Sequence, residues 1–204
     1  MKKKSDLGKN ILLHFLPASS IDLIDDMVQE FRVNFKVVNP RKTKLGDCRY
    51  PLPGKSAITI TVNSDLPKLQ FLITAVHELA HAKTFRDFQF KAAPHGMEWK
   101  NNYRTLFQPF LKESILKKEE IEIIQHMLSN LSASSCNNAK LNDHLYKNDE
   151  SVTFLKDIEQ STVFELNKRR FKIIEKARTR YLCKEINTGK KYKIHGLANV
   201  TLID

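Results

Sequence analysis

Cysteine is scarce in this 204-residue chain, and the way it is placed excludes two classes of small protein. Cys48, Cys136 and Cys183 are an odd number of widely spaced residues, and they form no CxxC pair. This pattern argues against a disulfide framework and against a zinc ribbon built from cysteines. A reducing compartment suits such a chain, so we expect a cytoplasmic protein.

Long apolar runs and internal repeats are also missing. No stretch of about 18 residues is apolar and free of charge, so the sequence predicts no transmembrane helix, and we expect no membrane partner. The apolar stretch near the N-terminus is short and is interrupted by Asp6, Lys9 and His14. We therefore interpret it as mature sequence rather than as a signal peptide. The composition is typical of a globular protein, and we expect a monomer.

Positive charge is abundant but unevenly spread. The formal net charge is +11, and residues 165–193 contain eleven basic and only three acidic residues. Such a dense basic segment favours a polyanion partner such as DNA, although a merely basic, solvated surface is the alternative. Aromatic side chains for base stacking would be Phe171, Tyr181 and Tyr192. The candidate nucleic-acid contacts are Lys168, Arg169, Arg170, Lys172, Arg178, Arg180, Lys190 and Lys191.

The hydrophobic pattern divides the chain into an α+β domain and a β-rich module. Residues 1–18 form an N-terminal segment. Residues 19–131 form a domain with helices from Ile21, over 69–85, from the PHGMEW stretch at 94–99 to about 111, and over about 118–131. Strands are predicted over residues 33–38 and 57–62. Residues 132–160, rich in Ser and Asn, are predicted to be a linker. Residues 161–204 show five short strands, with a hairpin turn at Asn187-Thr188-Gly189, and are predicted to form a small barrel or curled sheet.

The central pattern is HELAH at residues 77–81. His77 and His81 are four residues apart, so on a helix both imidazoles lie on one face and can reach a single ion. Glu78 is offset by about 100° and suits the role of a general base better than that of a third ligand. The spacing therefore predicts a zinc hydrolase site with one catalytic ion and one protein ligand still to be found.

Three residues compete for the third ligand position. His95 is preferred because imidazole suits zinc and because the residue stands between Pro94 and Gly96 at a helix entry. There are two alternatives. One is Glu98, if the helix that contains it lies beside the HELAH helix, and the other is Asp87, six residues beyond His81. Tyr103 and Lys44 are candidate oxyanion stabilisers. Cys48 is either an inhibitory thiolate or a small buried residue.

A strand beside the site would favour a peptide substrate. The alternating strand over residues 57–62 precedes the HELAH helix, and we expect it to be the sheet edge that binds an extended peptide by strand addition. Glu78 would then take a proton from water and pass it to the leaving amine. Two alternatives remain: a nucleic-acid-binding protein with a structural or inactive zinc site, and a zinc hydrolase acting on other substrates.

Several ordered elements over about residues 19–111 resemble the SprT-like zinc metalloproteases. HELAHA at residues 77–82 is followed by PHGMEW at 94–99, and in that family the His of an HG element is the third ligand. TKLGDC at residues 43–48 is similar to the family's TRWGSC-like segment, with Leu45 and Asp47 in place of Trp and Ser. Residues 58–66, with Asn63, resemble the strand that follows.

The resemblance implies a zincin-like catalytic domain, a small sheet plus active-site helices, and a protein or peptide substrate. It implies Zn²⁺ on His77, His81 and His95, with Glu78 as the catalytic residue. The family includes Spartan-type proteases, which cut proteins crosslinked to DNA. Many members carry a C-terminal zinc ribbon, which is degenerate here: only Cys183 and His195 stand in that region, too few for a structural site. We therefore expect the C-terminal module to fold without metal.

Overall fold

The structure is a computed structural model that describes residues 11–41, 43–51, 57–131, 139–146 and 153–203. The chain forms two compact units, the first ending at Leu141 and the second beginning at Asn142. The described residues form both α-helices and β-strands, and the strands build two sheets, so the predicted α+β class is confirmed. No helix in the described ranges is long and apolar enough to cross a membrane.

In the described part of the first unit lie a three-stranded sheet and four α-helices of ten or more residues. In chain order they are α1 (Ile21–Glu30), β1 (Val33–Val38), β2 (Gly46–Arg49), β3 (Ile58–Asn63), α2 (Lys68–Phe88), α3 (Met97–Phe107) and α4 (Lys118–Ser129). A further helix, α5 (Ala139–Tyr146), crosses the unit boundary. The strand order is β1-β3-β2, with β1 parallel and β2 antiparallel to β3.

The strand predicted to be the substrate-binding edge lies at the centre of this sheet. Ile58, Ile60 and Val62 of β3 are buried, and the strand has a neighbour on each side. That prediction was wrong because alternation reports which face of a strand is buried, not how many strands flank it. The edges of the described sheet are β1 and β2, and β2 was not among the predicted strands.

Helix α2 is the central helix of the first unit. Pro67 stands immediately before it, where a missing N–H costs nothing. Nearly every side chain from Leu69 to Ala80 is buried, including both faces of the helix. A helix that is enclosed on all sides has no freedom to rotate, so the side chains that it directs into a cleft are held in fixed positions.

The second unit is a six-stranded antiparallel sheet. Its strands are β4 (Thr153–Phe154), β5 (Val163–Leu166), β6 (Arg169–Glu175), β7 (Arg180–Glu185), β8 (Lys191–His195) and β9 (Asn199–Leu202), in the order β4-β9-β5-β6-β7-β8. Gly189 adopts φ +70° in the predicted turn between β7 and β8. The core contains Phe164, Phe171, Ile173, Cys183, Ile194 and Val200.

This sheet extends into the segment predicted to be a linker. Strand β4 pairs with β9, and Leu155 and Ile158 just after it are buried in the same core. The predicted linker over residues 132–160 therefore ends too late, because its last apolar residues have buried partners in the sheet. The Ser- and Asn-rich composition of the segment indicated a linker, and its few apolar residues were too sparse to indicate a strand.

Candidate metal centre and cleft

Three histidines converge on one point of the first unit. His77 and His81 come from successive turns of α2, and His95 comes from the turn that leads into α3. The Nε2 atoms lie 3.3 Å apart between His77 and His81, 3.1 Å between His81 and His95, and 3.2 Å between His95 and His77. Together the side chains form a group that could hold a metal ion.

A strained turn presents His95. The Gly96 N–H donates to the Ala93 carbonyl at 2.9 Å, which closes a four-residue turn with Pro94 at its second position. His95 occupies the third position with φ +56°, where type II turns require a positive φ and favour glycine. Non-glycine residues in such conformations persist only where the surrounding structure enforces them.

The geometry fits a tetrahedral zinc ion. Nitrogen ligands 2.0–2.1 Å from zinc would stand about 3.3–3.4 Å from one another in a tetrahedron, close to the separations found here. Burial lowers the pKa of His77 to about 3 and that of His81 to about 4, and it also lowers that of His95. The imidazoles are therefore neutral at pH 7, as metal ligands must be. Nδ1 of His77 is buried and has no hydrogen-bond partner among the described residues.

An aromatic wall supports the three imidazoles. The ring centroid of Trp99 lies 4.7 Å from those of His77 and His95, and 5.3 Å from that of His81. Tyr103 stacks behind Trp99 at 5.1 Å. The sequence analysis gave Trp99 no role at the site and considered Tyr103 only as an oxyanion stabiliser. The available signal was that Trp99 follows His95 by four residues and therefore shares its side of the helix entry.

Glu78 lies beside the histidines with its side chain buried. Only 7% of the residue is exposed, and burial, assisted by the charge of Asp47, raises the pKa of its carboxyl to about 8. Gly46 of β2 lies against it so closely that a Cβ at position 46 would be 2.5 Å from Oε1. Gly46 is a site residue that the sequence analysis missed, although it lies in the TKLGDC segment.

These groups line an open cleft of about 530 Å³. Helix α2 forms one side and the segment around β2 the other. Within the cleft wall, Asp47 pairs with Lys44 at 2.7 Å and with Arg49 at 2.8 Å. The lining residues are Thr43, Lys44, Leu45, Gly46, Asp47, Cys48, Tyr50, Thr74, His77, Glu78, His81, Pro94 and His95.

Other candidates from the sequence lie elsewhere or are otherwise engaged. Asp87 pairs with Lys83 at 2.9 Å, and neither it nor Glu98 belongs to the histidine group. Tyr103 is fully buried and its hydroxyl donates to the Ile73 carbonyl, so it is not an oxyanion donor in the cleft. Cys48 does line the cleft, but burial raises the pKa of its thiol, which opposes a thiolate ligand.

The basic residues of the second unit fall into two groups. Arg170, Lys172 and Arg180 alternate with buried residues and point to the exposed face of the sheet, as does Lys191. Arg169 instead turns to the other side and forms a two-pronged ion pair with Glu185, at 2.6 and 2.8 Å. Lys168, Arg178 and Lys190 lie in the turns between strands.

The predicted stacking residues point to the inner side of the sheet. Phe171 is 3% exposed, and Tyr181 and Tyr192 pack against the core. The stacking hypothesis was therefore wrong, because on strands β6, β7 and β8 these rings share the parity of the core residues, not of the lysines.

Comparison with known proteins identifies no relative: no protein-family model, no curated protein and no solved structure matches this chain.

Proposed function

We propose that this protein is a zinc-dependent metallopeptidase of the SprT-like kind with a zincin-like catalytic domain. The observation that carries the proposal is the set of three imidazole Nε2 atoms, 3.1–3.3 Å apart, with a buried carboxyl on the adjacent residue of α2. Three neutral nitrogen ligands leave a position open on a tetrahedral ion, which is the arrangement of catalytic rather than structural zinc sites.

His77, His81 and His95 would hold the ion. When bound, Zn²⁺ supplies a Lewis acid that polarises a carbonyl and makes water acidic enough to attack near neutral pH. Glu78 accepts the proton of the attacking water and gives it to the leaving amine. A carboxyl with a pKa near the working pH suits both transfers. Trp99 holds the three rings in place from behind.

The edge strand favours a peptide over other hydrolase substrates. Strand β2 pairs with β3 on one side only, and no described strand covers its other side. It lines the cleft that contains the histidines. An extended peptide can therefore add to β2 through main-chain hydrogen bonds and pass the metal centre.

The test combines zinc content with protein cleavage. We expect purified protein to bind one Zn²⁺ and to cleave casein. Glu78→Gln should keep the zinc and lower cleavage at least about 100-fold, because the base is lost while the ligands are retained. Glu98→Gln is the matched control, since Glu98 lies close by but outside the histidine group, and it should retain both properties. Unaltered cleavage by Glu78→Gln would contradict the proposed mechanism.

A second candidate function, nucleic-acid binding, is favoured by the charge pattern of the C-terminal sheet. Lys172 of β6 stands opposite Lys184 of β7, which stands opposite Lys191 of β8. Like charges directly opposite on one face are destabilising. We define the basic face as the exposed side of strands β6–β8, on which these lysines lie with Arg170, Arg180 and Lys193.

The basic face supports phosphate contacts rather than base stacking. No Phe, Tyr or Trp of strands β6–β8 points to it, so it offers cations without a stacking platform. Joined to the peptidase unit, such a face would favour DNA-associated or DNA-crosslinked proteins as substrates.

Binding to duplex DNA at several salt concentrations tests this candidate. Replacing Lys172, Lys184 and Lys191 by Gln should reduce the slope of log K against log salt by about 2.7 if each contacts a phosphate. The control replaces three exposed lysines of the first unit, Lys36, Lys112 and Lys118, and so changes the net charge equally. Equal weakening by both triple variants would argue against a specific basic face.

A further inference from the structure

Three aromatic rings form an exposed cluster at the cleft, and neither the metal site nor the proton transfers account for it. Tyr50 stacks on Phe85, with centroids 4.4 Å apart and planes at 17°. Phe90 meets Tyr50 edge-on at 5.7 Å and Phe85 at 5.1 Å. We call these three residues the aromatic cluster.

Two of the three rings of the aromatic cluster are exposed to solvent, although large aromatic side chains are usually buried. Phe90 is 77% exposed and Tyr50 38%. Burying apolar surface is the main favourable term in folding, so rings that touch each other yet remain in water are available to an apolar ligand. The backbone also holds Phe90 in this position at a cost, because the preceding Gln89 has φ +53° and ψ −137°.

Two observations connect the aromatic cluster with the candidate catalytic centre. Tyr50 lines the same cleft as His77, Glu78 and His81. On α2, Phe85 follows His81 by four residues, as His81 follows His77, so the three side chains lie in one line along the helix. One such step is about 6 Å along the axis, close to the span of two residues in an extended peptide.

The edge strand leads to the same place. Strand β2 ends at Arg49, and Tyr50 is the next residue. A peptide that pairs with β2 and passes the histidines therefore meets the aromatic cluster within about two residues of the bond at the metal centre. Aromatic walls bury the surface of bulky apolar side chains well and leave small side chains poorly covered.

We propose that Tyr50, Phe85 and Phe90 form a specificity pocket for a bulky apolar side chain, aromatic or aliphatic, about two residues from the cleaved peptide bond. The proposal rests on the proposed peptidase function. It assigns to the aromatic cluster the choice of substrate and no part in the chemistry.

Cleavage of a peptide library by the zinc-loaded full chain tests the proposal. We expect large apolar residues to be enriched at one position near the cleavage site. Phe90→Ala should lower kcat/KM for a peptide with Phe at that position by about tenfold. It should leave kcat/KM unchanged for the same peptide with Ala there, so the preference ratio falls. Because Phe90 is mostly exposed, this substitution should not impair folding.

Phe88→Ala is the matched control, because Phe88 is also exposed and lies two residues away but makes no ring contact with the aromatic cluster among the described residues. It should keep the wild-type preference ratio. Wild-type cleavage without an apolar preference, or a Phe90→Ala variant with the full preference, would overturn the proposal and leave the peptidase intact. If the zinc-loaded wild type cleaved neither the library nor casein, the proposed function itself would be wrong and the pocket with it.

Discussion

Gly46 offers a direct way to move the proposed catalytic base without touching a metal ligand. A Cβ added at this position would stand 2.5 Å from Oε1 of Glu78, 2.8 Å from its Cγ and 2.8 Å from Cγ2 of Thr74, whereas ordinary contacts begin at 3.4 Å. In Gly46→Ala, something must therefore shift by about 0.9 Å.

The surroundings indicate which group will move. Thr74 is more restrained than Glu78 because its hydroxyl donates to the Gln70 carbonyl at 2.8 Å, so its methyl group can move only slightly to relieve its own contact. The backbone of β2 is held by pairing of Gly46 with Val62 and by the bond from the Asn63 N–H to the Leu45 carbonyl at 2.9 Å. The Glu78 carboxyl is the least restrained neighbour, so we expect it to be displaced.

A displacement near 1 Å costs a positioned catalytic group about 100-fold in rate. We expect Gly46→Ala to lower kcat for casein or peptide cleavage by about that factor while zinc stoichiometry stays at one. Overpacking should also cost about 1–3 kcal/mol of stability, measurable by urea unfolding through the fluorescence of Trp99, the only tryptophan.

Two further variants make the reasoning refutable. Gly196→Ala is the control, because its added methyl would meet its nearest neighbour at 3.4 Å and should change neither activity nor zinc binding. In the Glu78→Asp background, the shorter side chain withdraws from position 46, so the stability cost of Gly46→Ala should shrink. Wild-type kcat in Gly46→Ala, or an undiminished stability cost in the double variant, would refute this account of Gly46.

Three other substitutions test separate parts of the structure. His95→Asn removes the imidazole but keeps a residue that tolerates positive φ, so the apo protein should keep its thermal stability. The stabilisation by zinc, about 4.1 kcal/mol at a zinc concentration of 1,000 times the Kd, should vanish. An unchanged stabilisation by zinc would exclude His95 as a ligand. Tyr103→Phe should leave kcat unchanged in the casein assay, because the hydroxyl donates to the Ile73 carbonyl and Tyr103 is not among the residues that line the cleft. A large fall in kcat would restore its oxyanion role. The Arg169 guanidinium and the Thr188 hydroxyl lower the pKa of Glu185 from 4.5 to about 2, so its contribution to stability is present above about pH 4.5 and is lost as the pH falls toward 2. Glu185→Gln should therefore weaken amide-exchange protection of β7 strongly at pH 7 and progressively less toward pH 2; equal effects at both pH values would contradict this ion pair as the cause.

Local spacing was sufficient to predict the part of the site that lies on one helix. His77 and His81 share a face of α2 because four residues make about one turn, and Glu78 follows from the same geometry. The alternation of strands β6–β8 also predicted most of the second unit. It even contained the information that Phe171 points inward, since Phe171 and Ile173 share a parity that Lys172 does not.

The other half of the cleft depends on tertiary pairing and could not be predicted locally. Strand β2 reads Gly-Asp-Cys-Arg, which has neither alternation nor strand-forming residues. It is extended because it pairs with β3, whose position at the centre of the sheet is equally invisible in its own sequence. The prediction of a sheet edge at residues 57–62 was wrong for the same reason, because the residue pattern of a strand does not show how many strands lie beside it.

The departures from local rules gather around one cleft. Gly46 lies in strand β2, whose residues have low strand propensity. His95, which lines the cleft, has a positive φ, and so has Gln89 beside the aromatic cluster. Each such feature costs stability and persists only where other interactions impose it. The other described positive φ values lie at Arg32, between α1 and β1, and in turns at strand ends of the second unit, where they are ordinary. The imposed conformations at the cleft of His77 and Glu78 and at the aromatic cluster are therefore an argument for function that does not depend on the metal, since a chain selected for stability alone would relieve them.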